Sequence, residues 1–198
     1  MPIDEIIQSW RKSPRISPCM TDIRVFPKRE GQYRAFPDFI HPSLKKALRQ
    51  KGIEQLYSHQ AEAVEAVHQG KDVVIVTPTA SGKTLCYNLP VLNSKLNLPF
   101  SKAMYLFPTK ALSQDQMFEL QDLIAQVERP VAIFTYDGDT PADARQAIRT
   151  QGDVVITNPD MLHTAILPHH TKWMSFFQNL SLSSWMNFIL IGGFSVPT

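Results

Sequence analysis

The chain has 198 residues, long enough for one domain with a sizeable core. Its composition, 43% hydrophobic and 19% charged, excludes a disordered polypeptide. A net charge of +2 means that bulk charge says almost nothing about an anionic partner. Basic residues lean toward the N-terminal side (Arg11, Lys12, Arg15, Arg24, Lys28, Arg29, Lys45, Lys46, Arg49, Lys51), a pattern that reads as a solvated face before a binding stripe. Cys19 and Cys86 form no metal or disulfide spacing, which points to a reducing cytoplasm. The opening "MPIDEIIQSWRKS" lacks the apolar core of a secretion signal.

Residues 1–40 are punctuated by Pro2, Pro14, Pro18, Pro27 and Pro37 without lasting periodicity, and read as an N-terminal extension. From 41 onward helices and strands follow in turn. "HPSLKKALRQKG" predicts a helix with Ser43 as cap, Leu44 and Leu48 on one face, and Gly52 as stop. "SHQAEAVEAVHQG" repeats that grammar, with Ser58 as cap and Gly70 as stop. "DVVIV" (72–76) has the β-branched run of a fully buried strand, and a helix is predicted from Lys83 to Leu92. "KAMYLF" (102–107) is a second strand, followed by a helix capped by Thr109 and reaching Val127. "VAIFTY" (131–136) is a third strand, followed by a helix opened by Pro141, and "DVVIT" (153–157) is a fourth. Helical signals return over 160–162 and 171–177. Strands alternating with crossover helices predict an α/β domain with a mainly parallel sheet covered on both faces.

"TPTASGKT" (77–84) lies between the first predicted strand and its helix. Gly82, Lys83 and Thr84 fill the end of the phosphate-loop template, although Thr77 stands where the template has glycine. Each type has a chemical reason. Gly82 lets backbone N–H groups close around a phosphate at a helix N-terminus. Lys83 reaches the β- and γ-phosphates, and the Thr84 hydroxyl is the Mg²⁺ ligand. Such a loop serves kinases, GTPases, motors and helicases alike.

Four ordered stretches narrow that choice: "YSHQ" before the loop, the loop itself, "PTKALSQDQ" after the second strand, and "TNPDML" after the fourth. In this order they resemble the Q-motif, motif I, motif Ia and the TPxxL motif of superfamily 2 (DEAD/DEAH-box type) ATP-dependent helicases. They are most similar to the RecQ-four-like branch of DNA helicases. The resemblance covers residues 40–180 and implies a RecA-like three-layer P-loop domain. It further implies ATP and Mg²⁺ bound by Tyr57, Gln60, Thr77, Pro78, Thr79, Ala80, Ser81, Gly82, Lys83 and Thr84, with Gln60 at the adenine edge and Lys83 and Thr84 catalytic. Pro108, Thr109, Lys110, Gly138, Asp139, Thr157 and Pro159 would lie on the strand ends and track a nucleic-acid backbone, single-stranded or forked DNA by the branch. That family tolerates other residues at the first loop position, which accommodates Thr77. "PHHT" (168–171) reads as a loop and not as a metal site.

The same resemblance requires an apolar strand ending in Asp-Glu soon after the TPxxL motif, yet no residue after Asp160 is acidic and none after Lys172 is charged. Trp185 and Met186 have a single codon each, and Asn187 follows. Read from the third base of the Trp codon, these bases encode Asp-Glu. Residues 181–198 are therefore expected to be an aberrant, frameshifted tail on a chain truncated before motif II, lacking the second RecA-like domain. A membrane helix there is disfavoured, because serines, Asn187 and the Gly192–Gly193 pair interrupt the roughly twenty apolar residues needed. A buried strand at "NFILI" is an alternative reading of the tail. The expected function is ATP binding as part of a helicase without turnover of its own. A non-catalytic nucleotide- or nucleic-acid-binding module, and a non-functional fragment, are the alternatives.

Overall fold

The computed structural model describes residues 2–26, 30–78, 81–127, 129–185 and 192–193. The chain divides into two units, Met1–Gly31 and Gln32–Thr198. In the first, Ile3–Lys12 forms a helix (α1) where no periodic element was predicted. Asp4 and Glu5 in its first turn and Arg11 and Lys12 in its last complement the helix dipole, and none of its residues is buried.

The second unit begins earlier than the predicted boundary at residue 41. Tyr33–Arg34 (β1) pairs antiparallel with Leu56–Tyr57 (β2), and Phe36 and Ile40 are buried in the core. Pro42–Gln50 (α2) and Ser58–His68 (α3) follow the two strands. The cap of α2 is His41 and not Ser43: its Nδ1 accepts from the Ser43 N–H at 3.3 Å, and Pro42 takes the first helical position. Tyr57 occupies the cap position of α3, and Ser58 is its first helical residue. Both helices end as predicted. Gly52 and Gly70 adopt left-handed φ of 77° and 74°. The N–H groups of Ile53 and Lys71 reach back to the carbonyls of Leu48 and Ala66.

The remaining elements are Lys83–Asn97 (α4), Lys102–Leu106 (β3), Lys110–Ile124 (α5), Ile133–Thr135 (β4), Ala142–Gln151 (α6), Val154–Thr157 (β5), Pro159–Met161 (α7), tight turns over 162–173, Met174–Gln178 (α8), Leu180–Trp185 (β6) and Gly192–Gly193 (β7). Helix α4 runs past the predicted end with Pro90 inside it, and α5 stops short of Val127. The sheet order is β4-β5-β3-β6-β7, with the first four strands parallel and β7 antiparallel to β6.

Strand alternation sends side chains to two cores. Ala103, Tyr105, Val154, Ile156 and Leu182 meet Leu44, Leu48, Val64, Leu89, Leu92 and Leu120 on the face covered by α2 to α5. Met104, Leu106 and Val155 meet Ile148, Ile166, Trp173 and Phe176 on the other. Trp173 anchors that second layer, its ring edge-on to Tyr136 at 5.0 Å and Phe176 at 5.5 Å. The result is the predicted three-layer α/β arrangement.

Two departures concern the sheet. First, residues 72–76 form no ladder with the sheet among the described residues. Val73 makes a single bridge, and Val74 and Val76 are 56% and 86% exposed. Val73 and Ile75 pack on the core, while the outer edge of β6 is taken by Gly192–Gly193. Second, residues expected in an aberrant tail form a regular sheet strand. β6 pairs with β3 through Trp185, with a bulge at its start that pairs Lys102 with Leu180 and Ala103 with Leu182. The bulge sends Leu180 and Leu182 to opposite cores. "NFILI" lies outside the described residues. Among the described residues, no helix is long and apolar enough to cross a membrane.

Candidate functional site

Gly82 is the cap of α4 and holds φ 77°, ψ 27°, a left-handed conformation that costs other L-residues about 1–2 kcal/mol. Space enforces the same choice. A Cβ at position 82 would lie 2.6 Å from Nε2 of Gln60 and 3.9 Å from the Tyr57 ring. Gln60, 2% exposed, donates from that nitrogen to the Gly82 carbonyl at 2.8 Å and accepts the Tyr57 N–H on Oε1 at 2.9 Å. Three residues expected to share one site therefore meet, although Gln60 stands on α3 and Gly82 opens α4. The Gln60 amide, predicted to read an adenine edge, braces the loop in this structure. The Tyr57 ring, partly exposed, stacks on Tyr33 at 4.9 Å and on His59 at 5.7 Å. Sequence reading missed Tyr33, which lay in the presumed extension with no periodic or motif signal to mark it.

The Lys83 ammonium donates to the carbonyl oxygens of Thr77 at 2.8 Å and Pro78 at 2.7 Å. The Thr77 and Ser81 hydroxyls, 2.6 Å apart, sit beside it. These acceptors are neutral, and the first turn of α4 holds no acidic residue. An anion at the helix N-terminus would meet Lys83, the first N–H groups of α4 and no opposing carboxylate from that turn. The residues thus fit a nucleoside triphosphate: Gly82 lets the loop take its left-handed turn against Gln60, and Lys83 supplies the charge. Thr84, half-buried one residue further on, would hold Mg²⁺. Thr79 and Ala80 lie outside the described residues. Just behind the loop, burial pushes the Cys86 thiol up to about 12 and raises the Tyr87 hydroxyl as well.

The second set of predicted residues gathers at the C-terminal ends of β3, β4 and β5, which share one edge because the strands are parallel. Pro108, Thr109 and Lys110 are exposed, and Thr109 caps α5 by accepting from the Leu112 N–H at 3.3 Å. Lys110 pairs with Asp139 across to the next loop, and that contact raises the Lys110 pKa. Gly138 is exposed beside them with ordinary φ, so nothing local demands glycine there. The turn carrying it is built by Asp137, whose N–H donates to Thr140 Oγ1 at 2.8 Å and whose Oδ1 accepts the Asp139 N–H at 2.9 Å. Pro159 is exposed at the start of α7. Thr157 departs from the prediction. It is 3% exposed, and its hydroxyl donates to the Tyr136 carbonyl at 2.7 Å, tying β5 to β4 in place of facing solvent. Its neighbour Asn158, not singled out from the sequence, is the residue that caps α7, accepting from the Met161 N–H at 2.8 Å. Among the described residues no cluster of His, Cys, Asp or Glu has a metal-binding arrangement.

Residues 57–183 match the DEAD/DEAH box helicase family. The chain is 55% identical over 152 residues to the uncharacterized ATP-dependent helicase YprA of Bacillus subtilis (strain 168), covering 77% of this chain and 20% of that protein. It is 39% identical over 170 residues to the ATP-dependent helicase HRQ1 of Saccharomyces cerevisiae, covering 85% of this chain and 15% of that one. Among solved structures, the DUF1998 helicase MrfA bound to DNA superposes with a TM-score of 0.77 at 54% identity, over 79% of this chain and 22% of that one. The chain thus spans 15–20% of the length of these curated relatives.

Proposed function

Because this chain belongs to the DEAD/DEAH box helicase family, we propose that it is an ATP-binding RecA-like domain that holds Mg-ATP on its 77–84 loop and a DNA strand on its strand ends. The observation that carries the nucleotide reading is the Gly82 cradle, closed from behind by Gln60 and lined by a Lys83 ammonium that only neutral oxygens hold. DNA is favoured over RNA because the 54%-identical structure of MrfA is one bound to DNA. The single-stranded or forked form follows from the branch resemblance. The free thiols of Cys19 and Cys86 suit a cytoplasmic setting.

Bound Mg²⁺ would screen the phosphate charge, and hydrolysis would also need a carboxylate at the end of the strand beside β3 to orient water. Here that strand is β6, and it ends in Trp185. No acidic residue follows Asp160. We infer that these 198 residues on their own bind ATP without appreciable turnover, since β6 presents Trp185 and not a carboxylate beside β3. Calorimetric titration with Mg-ATP should give saturable binding that Lys83→Ala abolishes, with phosphate release at the level of a protein-free control. Phosphate release that Lys83→Ala removes would defeat the claim of binding without turnover. Absence of saturable binding would defeat the nucleotide reading itself.

A further inference from the structure

We propose that a small basic pocket between α6 and the turns over 162–173 takes a backbone phosphate of the bound DNA strand, a contact additional to the strand-end residues. The inference rests on the nucleic-acid reading above. The pocket has a volume of about 280 Å³, and Arg145, Arg149, His169 and Lys172 line it together with Thr164. No carboxylate lines it. Arg145 and Arg149 project from one face of α6 at i, i+4 spacing, a like-charged pair that repels unless an anion sits between or beside it. Among the described residues, Arg145, Arg149 and Lys172 form no ion pair, whereas other basic side chains such as Arg34, Lys51, Lys95 and Lys110 do.

Arg145 is also fixed in place. The Arg145 Nε donates to the Thr140 carbonyl at 3.0 Å, and its guanidinium lies 5.4 Å from the centre of the Tyr136 ring. Its remaining N–H groups are left to meet a phosphate in the forked geometry that arginine offers. The backbone leaves helical geometry at His169 (φ −111°, ψ 28°) within the turns that bring Lys172 to the rim. Beneath them the floor is buried, Tyr136 and Trp173 being 3% and 1% exposed.

Position selects the source of the phosphate. Tyr136 follows β4 directly, and its N–H bonds the Ile156 carbonyl at 2.8 Å. The next residues form the turn that carries Gly138 and Asp139. The pocket thus opens beside the strand-end face, and a strand crossing that face can place one phosphate in it. His169 and Lys172 are exposed, so a polymer has access that a closed small-ion site would deny.

Fluorescence anisotropy with a labelled oligothymidylate tests this across a salt series. The proteins are wild type, the double variant Arg149→Ala/Lys172→Ala, the swap Arg149→Lys/Lys172→Arg, and Lys110→Ala. The double variant should bind about tenfold more weakly, with a salt slope shallower by about 0.7 for each phosphate that is no longer neutralised. The swap should retain most of the affinity, which separates a missing charge from a damaged fold. Unchanged affinity and slope in the double variant, with Lys110→Ala weakened, would overturn the pocket and leave the strand-end reading standing. A wild-type protein that binds no oligonucleotide would overturn both. Inorganic phosphate binding that the double variant loses while its DNA affinity is unchanged would assign the pocket to free phosphate, and this too overturns the proposal.

Discussion

Gln60 and Gly82 hold one another in place: the Gln60 amide donates to the Gly82 carbonyl at 2.8 Å, and a Cβ at position 82, 2.6 Å from that same nitrogen, would displace it. The contact locks the start of α4 to the start of α3. Loop conformation and nucleotide affinity should therefore respond together when either residue is changed.

Gly82→Ala tests the pair directly. The left-handed φ of 77° and the clash with Gln60 act in the same direction. The variant should lose about 1–3 kcal/mol of stability. It should also lose the upward shift in Tm that Mg-ATP gives the wild type. Thermal denaturation with and without Mg-ATP reads both effects, and a variant melting at the wild-type temperature would show that the loop has room to move.

The ion pair between Lys95 on α4 and Asp153 beside β5, 2.6 Å apart, has side chains only 9% and 17% exposed. Lys95→Met leaves the Asp153 carboxylate nearly buried, with the Ala132 N–H at 3.0 Å as its remaining described partner. Removing one member of such a pair costs about 3–5 kcal/mol. Urea denaturation should show that loss, and Lys95→Met/Asp153→Leu should recover part of it.

Thiol chemistry should separate the two cysteines. Cys19 is exposed and Cys86 buried. Burial raises the Cys86 pKa from 9.0 to about 12, against a weaker opposing pull from its own backbone contact and from Lys83. At pH 8 an aromatic disulfide reagent should titrate one thiol quickly and the second only in denaturant. The sign of the linkage follows. Below pH 9 both the folded and unfolded states hold the proton, so the stability is intact. Between pH 9 and about 12 the unfolded chain ionises first, so stability falls as pH rises through that window.

Ser184 on β6 is 1% exposed, and its Oγ finds no hydrogen-bond partner among the described residues. A buried hydroxyl without a partner costs about 1–3 kcal/mol. Ser184→Ala should accordingly raise Tm, and a lowered Tm would mean that the hydroxyl has a partner after all.

Local chemistry explains what could be read without the fold. The stops at Gly52 and Gly70, the Thr109 cap, the Pro141 start and the strand-and-helix alternation each depend on neighbours within a few residues, so the sequence alone determined them. The loop residues Gly82, Lys83 and Thr84 were legible for the same reason. Long-range packing decided the rest. "DVVIV" has the composition of a buried strand, but a strand exists only where another offers a ladder, and among the described residues it is Gly192–Gly193 that pairs along the outer edge of β6. Thr157 reads as a solvent-facing hydroxyl until the Tyr136 carbonyl is placed against it. Residues 181–185 lack charge and carry no motif, but β3 supplies a partner for their backbone, and hydrogen bonding does not depend on side-chain identity. Gln60 on Gly82, and Arg149 near Lys172, are meetings between elements far apart in the chain. Only the sheet and its covering helices bring them within reach, and so only the tertiary structure decided them.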